Sequence, residues 1–142
     1  MMTDPDQLQR FVEAQDRHEI YLDAVHELRS GRKDRHWMWF VFPQIAGLGR
    51  TPTAQQFEIA DIDEARAYLE HPVLGPRLVE CARILTQLPG NDPVEVFGET
   101  DAMKLRSSMT LFARAAAHGQ VFRDVLDQYY AGDEDELTTG RL

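Results

Sequence analysis

The sequence predicts an all-α fold, a single compact domain of about six to eight helices with no significant sheet. Three observations predict it. Apolar residues recur at three- and four-residue steps through most of the chain, cap residues with Pro or Gly punctuate those stretches, and only one stretch reads as a strand. A lone strand would leave its backbone hydrogen-bonding groups unsatisfied.

The first helix begins where Thr3 or Asp4 can cap and Pro5 suits the first turn; Leu8, Phe11 and Val12 then mark its apolar face until about Asp16. In the second, Ile20, Ala24 and the pair Glu27 and Leu28 step along one surface, and Gly31 supplies a left-handed stop after Ser30. The two make an αα-hairpin or one bent helix. Asp34 is the expected cap of the next segment, in which Trp37, Phe40 and Val41 fall at helical offsets and Pro43 ends the run. WMWFVF, residues 37 to 42, also suits a buried strand, but helix is preferred because nothing else in the chain would pair with it.

Residues 44 to 53, with Gly47, Gly49 and Pro52, read as a loop, followed by a short helix from Thr53 to Phe57. The next helix starts near Asp61 or Asp63 and continues through Ala65, Tyr68 and Leu69 to His71 and Pro72. Leu74, Leu78, Cys81, Ala82, Leu85 and Leu88 mark a long helix over residues 73 to 88, its regular part starting near Pro76. Asp92 and Pro93 restart a short helix through Phe97. Asp101 is the expected cap of a longer one over residues 102 to 117, with Leu105, Met109 and Phe112 turned inward. Gly119 separates it from a last helix marked by Val121, Phe122, Val125, Leu126 and Tyr129. The domain is taken as residues 1–132, and the run Asp133, Glu134, Asp135, Glu136 opens an acidic, solvated C-terminal end at 133–142.

A chain of 142 residues with 43% hydrophobic content can build its core without metals or disulfides. Cys81, the one cysteine, lies among apolar helix residues and is expected in that core, so neither an intramolecular disulfide nor a multi-cysteine zinc site can form. The formal charge of −9 opposes binding to nucleic acid or anionic membrane. With no secretory pattern at the N-terminus and no apolar window of membrane-spanning length, the expectation is a cytoplasmic, monomeric protein.

Motifs for common chemistry are missing. GLGRTP, residues 47 to 52, lacks the lysine of a P-loop and the spacing of a dinucleotide-binding turn. The five histidines, His18, His26, His36, His71 and His118, include no H-E-x-x-H, so neither metal nor cofactor is expected.

What stands out is RHWMWFVFPQIAGLGR, residues 35 to 50. On a helix, Trp37 and Val41 share a face while His36 and Trp39 point elsewhere, so part of this aromatic cluster must serve a second contact or a pocket. Arg29, Arg32, Lys33, Arg35 and Arg50 are opposed there only by Asp34, a basic neighbourhood that could receive a small anion. The plain alternative is that Trp and Phe bridge helices and the charges are solvated. In KLRSSMTLF, residues 104 to 112, Lys104 and Ser108 are helical neighbours and could form a base and nucleophile, or simply cap and solvate the helix.

LQRFVEAQ, HWMWFVFPQIAGLGR, EARAYLEHPVLGPRL and MKLRSSMTLF, in this order from Leu8 to Phe112, closely resemble the bacterial family catalogued as domain of unknown function 1810. The resemblance implies a single all-helical domain of the type seen in a mycobacterial relative. It supplies no activity, cofactor or catalytic residue.

The expectation for function is therefore a small anionic or nucleotide-like ligand bound by Trp37, Trp39, Gln44, Arg50 and Arg106. Two alternatives stand beside it. One is an enzyme acting on ADP-ribose-type or other phosphorylated metabolites, with His36, Lys104 and Ser108 as candidate catalytic groups; the other is a protein-interaction module without catalysis, its partner unknown.

Overall fold

The structure, a computed structural model, describes residues 5–142. The expected caps Thr3 and Asp4 lie outside the described residues. Two longer helices open the chain, α1 (Pro5–Asp16) and α2 (Ile20–Ser30), joined by a 3₁₀ turn at Arg17–Glu19. His18 and Glu19 both take left-handed conformations there (φ 52° and 57°), which breaks one continuous helix into two. Gly31 closes α2 as expected, left-handed at φ 80°, with its N–H on the carbonyls of Glu27 and Leu28.

Then come the one-turn helices α3 (Met38–Val41) and α4 (Pro52–Gln56), followed by α5 (Ile62–Glu70) and α6 (Leu74–Gln87). Beyond them lie α7 (Pro93–Ala115), α8 (Gln120–Tyr130) and the short α9 (Glu136–Thr139). The WMWFVF stretch is helical over Met38–Val41, so the strand alternative does not hold for it. β pairing among the described residues is limited to one isolated parallel bridge, Ile45 to Ile59, which pins the loop after Pro43 to the segment before α5.

Two expected caps are not caps. Asp34 does not begin α3: its backbone N–H donates to Glu27, its side chain pairs with Arg32 at the surface, and Trp37 starts the helix without a side-chain cap. Asp101 does not begin a helix either. Gly98, at φ 79°, absorbs the kink that separates the two parts of α7, so the helix is already under way when it reaches Asp101 and frees that carboxylate for ion pairing. Asp61, Asp92 and Thr51 do cap, each side chain accepting a backbone N–H from the first turn of its helix.

α7 is the central helix, packed against α5, α8 and α9, while α6 packs against α2, α5 and α8. Six consecutive residues, Ser107 to Phe112, are buried, so this part of α7 is enclosed on every side. An aromatic chain runs through the core from Phe11 to Tyr68 (centroids 5.3 Å apart), on to Phe112 (5.3 Å) and Phe122 (6.0 Å). Gln15, also buried, ties three elements together: its Nε2 donates to the Phe40 carbonyl at 2.7 Å and its Oε1 accepts from Arg77 at 3.1 Å.

The C-terminal end folds back on α7. Glu134 of the acidic run accepts from Arg114 and pairs with Arg123, and Asp135 caps α9, so these two carboxylates face the domain and are not simply solvated. The Asp135 N–H donates to Thr110 Oγ1 at 2.9 Å and its Oδ2 accepts from Ser107 Oγ at 2.9 Å.

Gly75, in the first turn of α6, lies tight against the last turn of α5. A Cβ built there would collide with the carbonyl of Leu69, which is backbone and cannot swing aside. Gly75→Ala is therefore expected to destabilise the fold by about 1–3 kcal/mol, read as a lower midpoint in urea. An unchanged midpoint would mean that α5 and α6 separate at little cost. Cys81 sits fully buried on α6, and burial, reinforced by the neighbouring Glu80, pushes its thiol up to about 12. A thiol reagent at neutral pH is expected to label it only at the rate of unfolding; fast labelling of the native protein would contradict this.

Candidate functional site

The residues singled out by sequence divide between core, surface and a cleft. Trp37 belongs to the core: it is 1% exposed, and its indole N–H donates to Glu27 Oε1 at 2.9 Å. Glu27 is itself 2% exposed and organises the whole turn before α3. Its Oε1 also accepts the N–H groups of Asp34 (2.7 Å) and Arg35 (2.9 Å), and its Oε2 accepts the Arg35 guanidinium at 2.8 Å. Burial alone would raise this carboxyl, but the donors from Arg35, Trp37 and Asp34 outweigh it and hold it at about 2.

The basic neighbourhood read from the sequence is largely neutralised by partners distant in the chain or turned toward it. Arg29 pairs with Glu80, Arg32 with Asp34, Arg35 with Glu27, and Lys33 with Asp101 at 2.8 Å. His36 and Arg50 are exposed, and neither lines the cleft described next. Ser108 is fully buried and its Oγ has no hydrogen-bond partner among the described residues, whereas Lys104 turns toward Asp101 and Trp39. The base-and-nucleophile arrangement suggested by their spacing is not formed.

Trp39, Gln44, Lys104 and Arg106 do come together, around a two-part cleft between the loop after α3 and the outer face of α7. The inner niche, about 10 Å³, is lined by Trp39, Gln44, Glu58 and Lys104 together with apolar residues, and admits one group the size of a water. Trp39 Nε1 is buried without a hydrogen-bond partner among the described residues. The outer hollow, about 290 Å³, shares Gln44, Gly49 and Lys104 with the niche and continues over Leu48, Met103, Arg106, Ser107, Asp135 and Leu137. Met103 and Leu137 are 71% and 68% exposed, an apolar lip that no described part of the chain covers.

The electrostatics centre on Asp101. Its carboxylate takes both lysines of the chain, Lys33 at 2.8 Å and Lys104 at 3.5 Å, and each ammonium also lies over an indole: Lys33 over Trp37 at 5.2 Å, Lys104 over Trp39 at 4.9 Å. Two cations thus share one anion. Arg106 makes no ion pair among the described residues; its guanidinium donates to the carbonyls of Asp133 and Glu134 and so fastens the C-terminal segment that forms one wall. Of the two carboxylates on the cleft, Glu58 accepts the Gly47 N–H at 3.3 Å and Asp135 accepts from Ser107 and Thr138. The sequence marks Asp101 as a helix cap and carries no local signal for Glu27 as a hub or for Met103 and Leu137 as a lip. A lysine-poor chain with two lysines and two tryptophans was the one available signal.

Fold and cleft together define a single all-helical domain with a small, partly apolar hollow and a lysine at its inner end. The chain belongs to the family described as Protein of unknown function (DUF1810), which it matches over residues 5–142. It is similar to a solved structure, the conserved hypothetical protein Rv1873 from Mycobacterium tuberculosis, at 51% identity, with 98% of each chain covered and a TM-score of 0.93. No curated protein matches the chain. No helix among the described residues is long and apolar enough to cross a membrane.

Proposed function

We propose that the protein binds a small anionic metabolite in this cleft, with Lys104, Gln44 and Trp39 at its inner end. One observation carries the reading: Lys104 shares the carboxylate of Asp101 with Lys33 while standing at the edge of a 290 Å³ hollow, so an incoming anion meets a cation that is only half compensated. The hollow falls just below the usual range of ligand pockets, about 300–1,000 Å³, which favours a metabolite smaller than a dinucleotide. Binding is preferred to catalysis, because His36, the candidate proton-transfer group, does not line the cleft. We further propose a cytosolic monomer, in keeping with a lone buried thiol that a reducing compartment preserves; gel filtration at the mass of one 16.3 kDa chain tests the second part.

A thermal-shift screen against small carboxylates, phosphates and nucleotides tests the reading. A ligand at 100 times its Kd stabilises the native state by about 2.7 kcal/mol, a shift that is easily seen. The shift is expected to vanish in Lys104→Gln and to survive in Arg50→Ala. Equal shifts in all three proteins, or none with any anion, would discard the cleft as a binding site.

A further inference from the structure

We infer that the ligand is an amphiphilic monocarboxylate, an acid with a short apolar body, held head inward. This rests on the anion-binding reading of the same cleft and adds the chemistry of the ligand. The cleft is polarised from end to end. Its inner end is lined by Lys104, Gln44 and Trp39, whose side chains can all donate, and the indole Nε1 of Trp39 is buried with no hydrogen-bond partner among the described residues. Its outer part is apolar where it meets solvent: Leu48, Met103 and Leu137 line the hollow, and the last two belong to the few large hydrophobic side chains left exposed. A donor-rich end followed by an uncovered apolar lip matches a molecule with one anionic head and an apolar remainder.

Charge and size narrow the head. Lys33 and Lys104 share Asp101, which leaves one positive charge uncompensated at the inner end, while Arg106, farther along the hollow, donates to two backbone carbonyls. A doubly charged group would also meet Glu58 across the niche and Asp135 farther along the hollow, both already hydrogen-bonded to the protein. The niche accepts a single oxygen-sized group, so a flat carboxylate can direct one oxygen toward it, whereas a tetrahedral phosphate has two more oxygens to place against the apolar residues that make up the rest of its lining. At about 290 Å³ the hollow lies just under the usual range of ligand pockets, about 300–1,000 Å³, which limits the apolar body to a short chain or a single ring.

Calorimetric titration of the full chain with butanoate, hexanoate and octanoate, alongside the matching alcohols and alkyl phosphates, tests the inference. Affinity is expected to rise about fourfold per added methylene until the hollow is filled, and to fall at least tenfold from each carboxylate to its alcohol. In Leu137→Asp, a change at an exposed position, most of the chain-length dependence should disappear while the thermal midpoint stays put. Lys104→Gln should erase the difference between acid and alcohol. If inorganic phosphate or short carboxylates bind through Lys104 with no gain from chain length, the anion site stands and the amphiphile is wrong. A preference for alkyl phosphates overturns the carboxylate head, and no binding by any of these probes removes both proposals.

Discussion

Replacing Glu27 by Ala is expected to lower stability by about 3–5 kcal/mol, a fall of roughly 10–20 °C in the thermal midpoint. The side chain is almost fully buried and its two oxygens serve four donors: two backbone N–H groups, the Trp37 indole and the Arg35 guanidinium. Deleting it strips acceptors from groups that cannot all reach water, which costs more than the hydrogen bonds themselves contributed. The effect should concentrate in the turn that leads from α2 into α3. Trp37 would lose its fixed orientation, so the near-ultraviolet circular dichroism and tryptophan emission should change together with the midpoint. A variant as stable as the parent would mean that water replaces the carboxylate at little cost.

The same carboxylate gives stability a pH dependence of defined sign. Glu27 and Glu134 are both held at about 2, Glu134 by its bonds to Arg114 and its proximity to Arg123, against an ordinary value of 4.5. A depressed carboxyl stabilises the native state above its unfolded value, and that contribution is lost as pH falls from about 4.5 toward 2. The parent should therefore lose stability steeply across this window. Glu27→Gln should show a shallower fall, with the remainder belonging to Glu134.

How much of this could be read from sequence depended on how far each partner lies along the chain. Gly31, Asp61, Asp92 and Gly119 were legible because a helix end is decided by neighbours within one turn. The division of the aromatic stretch came out as expected, with Trp37 and Val41 buried, His36 exposed and Trp39 half-buried, although only Met38–Val41 is helical and Trp37 stands at its N-cap. Glu27 was placed on the inner surface of α2 but given no role, because its donors arrive from a turn that has no periodic signal. Arg50 and Arg106 look alike as isolated arginines. Only the fold places one in solvent and gives the other two carbonyls across the cleft. Local rules thus recover the elements and most of their ends; Asp34 and Asp101, read as caps, are instead taken by contacts with other segments.

Asp101 combines both lessons and carries the second large effect. By sequence it is a helix cap; in the fold it joins the two lysines, and through their stacking on Trp37 and Trp39 it fastens the aromatic segment to α7. Asp101→Asn keeps the volume and removes the charge. Lys33 is only 6% exposed, so its ammonium is left buried without a counter-ion, and a loss of about 3 kcal/mol is expected. Lys33→Met in the same background removes the stranded charge while keeping an unbranched side chain over Trp37, and should recover at least half of that loss. If the double variant is no better than Asp101→Asn alone, the penalty comes from geometry and not from the unpaired lysine. Binding should move the opposite way. With Asp101 neutral, Lys104 faces the cleft uncompensated, so a carboxylate should bind several-fold more tightly at a temperature where the variant remains folded. Stability falling while anion affinity rises is a combination that a merely loosened structure would not produce.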